Sequence, residues 1–170
     1  MKPSSNRPAE APSVELVSPT SPSDLAATRD IFREYANGLE VDLCFQSFDE
    51  ELANLPGEYA VPRGCLLLAL VDGQVAGCGA LRPLDTADYP NAGEMKRLYV
   101  RRAFRGFGLG RQLAEALLDA ARGAGYSCVL LDTLDDMETA RALYEELGFI
   151  SIPPYYFNPI PGAHYLKVDL

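Results

Sequence analysis

The chain has 170 residues, room for one compact domain and little more. Its formal charge of −9 argues against general binding to DNA, RNA or an anionic membrane, and mildly favours cationic partners. No run of about 18 apolar residues is present, which excludes a spanning helix. Met1 to Ser13 is rich in Pro and Ser and lacks the apolar segment of a secretory leader. The four cysteines, Cys44, Cys65, Cys78 and Cys128, include no pair at the two-residue spacing of a zinc or thioredoxin-type site. A cytoplasmic protein with reduced, buried cysteines is therefore expected. His164 is the only histidine; a His-rich metal site is impossible, and no metal is expected.

Residues 1–13 have little to bury and are expected to form a disordered tail. Residues 14–170 show neither linker nor repeat and are expected to form one domain. Val14–Val17 alternates as a short strand. Ser23-Asp24 precedes Leu25, Ile31, Phe32 and Tyr35, a spacing that predicts a capped amphipathic helix ending near Asn37-Gly38. Phe48–Leu55 reads as a shorter helix, stopped by Pro56-Gly57. Cys65–Val71 and Gln74–Leu81 are apolar runs joined by Asp72-Gly73, a hairpin signal because a tight primed turn needs positive φ. A loop with Pro83, Asp85, Asp88 and Pro90 leads to a strand at Met95–Val100. Leu109–Ala121 predicts a long helix closed by Gly123 and Gly125. A strand at Cys128–Leu131, a helix at Glu138–Leu147 and strands at Phe149–Ile152 and Tyr165–Val168 come next. The last two are separated by a Pro- and aromatic-rich loop, Pro153–Gly162. An antiparallel meander followed by strand–helix–strand–helix–strand predicts a mixed α/β sheet.

The most informative segment is Val100–Leu117. A strand ends at Val100, a basic loop comes after it, and Gly106-Phe107-Gly108-Leu109-Gly110-Arg111 runs straight into a helix. Such a turn aims several backbone N–H groups at one point, where the helix dipole adds about half a positive charge. Its glycines allow close approach, and the natural guest is a phosphate or pyrophosphate. Arg101, Arg102, Arg105 and Arg111 reverse the sign of an otherwise acidic chain there. A Walker loop would need Gly-Lys-Ser/Thr where this chain has Gly110-Arg111-Gln112, and a dinucleotide fingerprint would need Gly-x-Gly-x-x-Gly.

Arg105-Gly106-Phe107-Gly108-Leu109-Gly110 resembles the Arg/Gln-x-x-Gly-x-Gly/Ala motif of the GNAT superfamily of acetyl-CoA-dependent N-acetyltransferases. Glu94–Val100 looks like that family's fourth strand, and Ala140–Phe149 like its fourth helix and the strand after it. The ending Pro153–Gly162 is similar to that of one bacterial branch of small members. The resemblance covers about residues 14–170 and implies the GNAT fold, with acetyl-CoA as co-substrate. It implies that Arg105, Gly106, Phe107, Gly108, Leu109, Gly110 and Arg111 hold the pyrophosphate. The backbone of Leu98 and Val100 would hold the pantetheine arm, with the Leu98 N–H polarising the thioester carbonyl. Glu94 matches a glutamate base kept by several members, with ion pairing as its alternative. Simple alternation puts Glu94 on one face with Lys96, Leu98 and Val100 unless a bulge intervenes. Tyr144 matches the tyrosine that protonates the leaving thiolate, with core packing as its alternative. Many members have Asn seven residues before this Tyr; here that position is Met137.

From Glu34 to Pro62 the chain has seven acids and no Lys or Arg. Those acids, Glu40 among them, would wall the acceptor site and attract a cationic amine, or else form a solvated surface. Tyr155, Tyr156 and Asn158 would line the same cleft, or pack on the sheet. The resemblance implies direct transfer of an acetyl group to a small primary amine. Its alternatives are a non-catalytic acyl-CoA-binding module and a protein acetyltransferase acting on a peptide N-terminus or lysine. The Pro-rich ending and last strand could carry contacts in a homodimer.

Overall fold

A computed structural model describes residues 12–39, 47–84, 86, 88–134 and 138–170. The expected tail, save residues 12 and 13, lies outside them, as do Glu40, Cys44 and Met137. The elements are β1 (Val14–Val17), α1 (Pro22–Gly38), α2 (Phe48–Ala53), β2 (Cys65–Val71), β3 (Gln74–Leu84), β4 (Ala92–Val100), α3 (Leu109–Gly123), β5 (Cys128–Leu134), α4 (Glu138–Glu146), β6 (Ile150–Ile152) and β7 (Ala163–Asp169). Short 3-10 turns at Gly57–Tyr59 and Arg102–Phe104 punctuate them. The sheet is seven-stranded in the order β1-β2-β3-β4-β5-β7-β6. β4 and β5 run parallel and the other neighbours antiparallel, the mixed sheet expected.

Strands run past their expected ends where partners extend the ladder. β3 continues through Pro83 to Leu84 because residues 82–84 pair with 94–92 of β4. β5 runs on to Leu134 because residues 132–134 pair with 165–163 of β7. The cap of α1 is Ser21 and not Ser23. Pro22 occupies the first turn, and the Ser21 hydroxyl accepts from the Asp24 N–H at 3.1 Å, a third-position contact that Ser23 cannot make.

Helices cover both faces of the sheet. On one face Leu67, Leu81, Met95, Val129 and Leu131 pack against Leu113, Leu117 and Ala121 of α3 and Tyr144 of α4. Leu113 and Leu117 are wholly buried, each contributing roughly 2 kcal/mol. A Cβ on Gly79 would stand 2.8 Å from the Leu117 side chain, so this strand position must be bare for α3 to lie against it. On the other face Leu66, Leu68, Cys78 and Ala80 pack against Ile31 and Phe32 of α1 and Phe48 and Leu52 of α2.

Two irregularities of β4 open and shape a cleft. Its pairing with β5 covers only Ala92, Gly93 and Glu94, so the two strands splay apart beyond Glu94 and Leu130. Its ladder with β3 slips between the Cys78 and Ala80 rungs, and Arg97 takes a left-handed backbone with φ 60°. This bulge breaks alternation. Glu94 and Lys96 share the α1–α2 face with Ala80, while Leu98 and Val100 join Met95 on the α3 side. The single face expected for Glu94, Lys96, Leu98 and Val100 thus holds for the first pair only.

Candidate active site

The glycine turn leaves backbone N–H groups facing outward at the start of α3. Gly106 and Gly108 have φ of 89° and 76°, which L side chains rarely adopt, and a Cβ at either would meet nothing within 4 Å. The turn therefore fronts open space. Gly108 caps α3 without a side-chain bond. The Gln112 N–H donates to the Gly108 carbonyl and begins the helical ladder, leaving the earlier amides of Leu109, Gly110 and Arg111 directed out of the helix end. Phe107 is 69% exposed beside them and packs on no core cluster.

Most of the arginines there are already engaged. Arg101 pairs with Glu34 at 2.8 Å, and Arg105 donates to the Val100 carbonyl at 2.9 Å and lies over the Tyr99 ring. Arg111 bonds Glu146 and Glu115, tying α3 to α4. Arg102 is exposed. The turn's positive character thus rests mainly on backbone amides, with side chains fixing it.

The splay presents backbone groups in a readable pattern. The Arg97 carbonyl accepts from the buried Cys78 thiol on β3 at 3.2 Å. In a trans peptide the next N–H points the opposite way, so the Leu98 N–H is directed away from Cys78. The Arg101 N–H donates to the Ala76 carbonyl at 2.8 Å, which turns the Val100 carbonyl away from β3 as well, where Arg105 takes it. A cleft occupies this region, lined by Met95, Lys96, Leu98, Asp132, Tyr144 and Asn158 among others.

Glu94 sits at the closed end. It is 1% exposed; Arg82 donates to Oε1 and Tyr155 to Oε2, each at 2.7 Å, and the Lys96 ammonium stands 3.8 Å from Oε1. Burial works to raise its pKa, but Lys96, Arg82 and the Tyr155 hydroxyl outweigh burial and hold the carboxyl below its ordinary range. A saturated, weakly basic carboxylate is suited to the ion-pairing role. Burial also pushes the Lys96 ammonium down, with Glu94 acting against it.

Tyr144 lines the cleft from α4, edge-on to Phe149 at 5.5 Å. Burial raises its phenol well above the ordinary value, so it keeps its proton at any working pH. Tyr35, across the cleft on α1, is pushed up to about 12 by burial.

The acceptor side departs from the acidic wall. Of its acids, Glu34 pairs with Arg101, Glu58 with Arg82, and Glu51 with Arg97 in a two-pronged bond at 2.9 and 3.0 Å. These carboxylates fasten α1, α2 and the turn after α2 to Arg82 and Arg97 of the sheet and to Arg101 just past β4, because the fold brings an acid-only segment against an arginine-bearing one. Glu40 lies outside the described residues. Asn158 lines the cleft as expected. Tyr155 and Tyr156 stand behind it, packed edge-on against Tyr165 at 5.4 and 5.7 Å, with their hydroxyls on Glu94 and Asp132. His164 is half-buried on β7 opposite Thr133.

A model of the acetyltransferase (GNAT) family matches residues 25–149, which spans the splayed pair, the glycine turn and the Tyr144 helix. The chain belongs to that family. It is 39% identical over 150 residues to an uncharacterised N-acetyltransferase of Schizosaccharomyces pombe, covering 88% of this chain and 90% of the other. Its fold resembles that of a Streptococcus agalactiae acetyltransferase, with a TM-score of 0.74, 21% identity and coverage of 92% and 98%. It also resembles a Salmonella typhimurium acetyltransferase solved with acetyl-CoA, with a TM-score of 0.70, 20% identity and coverage of 92% and 93%.

This GNAT chain also brings Asp132, Lys96 and Arg97 to the cleft, three residues the sequence motifs do not single out. A signal for Asp132 exists: it is the acid that ends the apolar run Val129-Leu130-Leu131. Arg97 carries no such signal, since only the bulge turns it toward Glu51 and the Phe48 ring.

Proposed function

We propose that this protein transfers an acetyl group from acetyl-CoA directly to a primary amine held in the same cleft. One observation carries the reading: β4 and β5 part after Glu94 and Leu130 into a cleft lined by Leu98 and Tyr144, with the glycine turn and the start of α3 following the open end of β4. Acetyl-CoA fits those residues. The pyrophosphate meets the outward amides at the start of α3, and the amide-rich arm lies along β4 as a missing strand would. Phe107 gives apolar cover over the turn. The Leu98 N–H donates to the thioester oxygen as charge develops there, and Tyr144 donates to the departing sulfur. The acetyl-CoA held by the Salmonella relative supports the choice of donor.

The acceptor is a small amine or amino acid. Asp132 lines the cleft, so a cationic amine finds a counter-charge there. The test is release of free thiol from acetyl-CoA with polyamines, amino acids, aminoglycosides and peptides as acceptors. Acceptor-dependent release, with the amide found by mass spectrometry, is the expected result. Tight CoA binding by calorimetry with no release from any amine would instead favour an acyl-CoA-binding module. Release with peptides alone would move the acceptor to a protein.

A further inference from the structure

We propose that Asp132 is the carboxylate that takes the proton from the acceptor amine. The proposal rests on the transfer reading above and gives it a base. Asp132 stands on β5 two residues past the last rung it shares with β4, where the splay has opened, and it lines the same cleft as Leu98 and Tyr144. Its two hydrogen bonds both fall on Oδ2, from the Tyr156 hydroxyl at 2.5 Å and the Asn158 amide at 3.1 Å. Those donors are themselves held. Tyr165 donates to the Tyr156 carbonyl at 3.1 Å, and the Ile160 N–H donates to Asn158 Oδ1 at 2.9 Å. The short hydroxyl–carboxylate bond is of the strong, charge-assisted kind and fixes the group. Among the described residues, Oδ1 has no hydrogen-bond partner and remains for a ligand.

Glu94 offers the contrast. It is wholly buried, and each of its oxygens already accepts a bond at 2.7 Å. Asp132 is half-buried, and both of its hydrogen bonds among the described residues fall on Oδ2. Its charge acts on Tyr35 of α1, Lys96 of β4, Tyr144 of α4, Tyr155 and Tyr156 of the loop before β7 and Tyr165 of β7. Arg97 lines the cleft beside them. Asp132 is thus the carboxylate facing the phenols and cations around the cleft.

The step balances in atoms and charge. Asp132 Oδ1 accepts one proton from the ammonium, freeing the nitrogen lone pair. The nitrogen attacks the thioester carbonyl carbon, a C–N bond forms, and the C–S bond breaks with its electron pair leaving on sulfur. The sulfur takes a proton from Tyr144, which the second nitrogen proton restores. The proton on Asp132 passes to solvent, so each turnover yields an acetamide, free CoA and one proton.

The experiment compares wild type, Asp132→Asn, Glu94→Gln and Tyr156→Phe in the thiol-release assay from pH 6.5 to 9.5, with the best acceptor of the panel. Asp132→Asn should lower kcat/KM for the amine about 100- to 1,000-fold at pH 7. The deficit should shrink as pH approaches about 10, where a free amine deprotonates unaided. CoA affinity by calorimetry should stay within about threefold. Tyr156→Phe keeps the carboxylate and removes a donor that holds it in place, so it should cost only about 3- to 10-fold in kcat/KM. A purely structural role would give Asp132→Asn a deficit that does not change with pH. A deficit under threefold in Asp132→Asn, or one equal at both ends of the pH range, overturns the proposal. So does a pH-dependent deficit found in Glu94→Gln and absent from Asp132→Asn. A wild type that releases no thiol with any acceptor overturns the transfer reading and the proposal together, an outcome distinct from an active enzyme indifferent to Asp132.

Discussion

The two ends of β4 differ in what their backbone and side chains have left to offer. From Ala92 to Glu94 the strand is paired on both sides, and the one charged group there is saturated by Arg82, Tyr155 and Lys96. From Met95 to Val100 it is paired on one side, bulged at Arg97 and fronted by open space. The closed end concentrates stability, because a buried charge cluster tolerates no missing member. In the proposed function the open end serves recognition, because its free edge is held in place by one neighbouring strand and left open on the other side. A charged residue in β4 is therefore not catalytic merely by being buried near the cleft; what matters is whether its acceptor atoms are spent.

The sharpest way to break this contrast is at the closed end. Glu94→Gln takes the shared counter-charge from Lys96 and leaves Arg82 with Glu58 alone. Removing one partner from a buried pair costs about 3–5 kcal/mol. Urea unfolding at pH 7 should show a loss of that order. A carboxyl held below its unfolded value of about 4.3 adds stability above that pH and loses it as pH falls through the folded value. The difference between wild type and Glu94→Gln should accordingly close in acid below about pH 4. Equal stability of the two at pH 7 would remove the distinction between the ends.

At the open end, Tyr144→Phe deletes a donor and little volume. Its kcat should fall about 10- to 100-fold while acetyl-CoA affinity holds, as expected for loss of a general acid; an unchanged kcat would return Tyr144 to the core. Gly108→Ala forces a side chain into positive φ, at a cost of roughly 1–2 kcal/mol. We expect about a tenfold weaker CoA affinity by calorimetry with the unfolding midpoint shifted only modestly, and unaltered affinity would dissociate the turn from the cofactor. The smallest effect belongs to Cys78→Ala. The thiol bond to the Arg97 carbonyl is weak, so its loss should lower kcat only about two- to fivefold, leaving KM for acetyl-CoA in place. A rise in KM without a change in kcat would mean that Cys78 supports the arm and not the Leu98 N–H.

Much of the architecture was legible. Asp72-Gly73 between two apolar runs, the Ala/Leu period of α3 and the stops at Gly123 and Gly148 are local signals that tertiary packing had no reason to override. The glycine turn was legible too, because positive φ at Gly106 and Gly108 is a demand that residue type records directly. Strand ends were less so: residues 82–84 and 132–134 are strand only because partners lie beside them. The face of Leu98 was illegible, since Arg97 is an ordinary residue in a left-handed conformation that its own chemistry does not announce. The acid-only stretch read either as a wall for a cation or as a solvated surface, and three of its members are spent on Arg101, Arg82 and Arg97.

By itself the sequence determined the order of elements, the family, the glycine turn at the start of α3 and the tyrosine on α4. All of these depend on short-range period, on glycine at fixed offsets, or on motifs a few residues long. Only the tertiary structure decided which carboxylate has an oxygen to spare. Glu94 and Asp132 are both acids on adjacent strands; the first meets Arg82 and Tyr155 on its two oxygens, while the second, among the described residues, meets Tyr156 and Asn158 on one. Hydrogen-bond saturation is a property of neighbours in space, and no local pattern of residues records it.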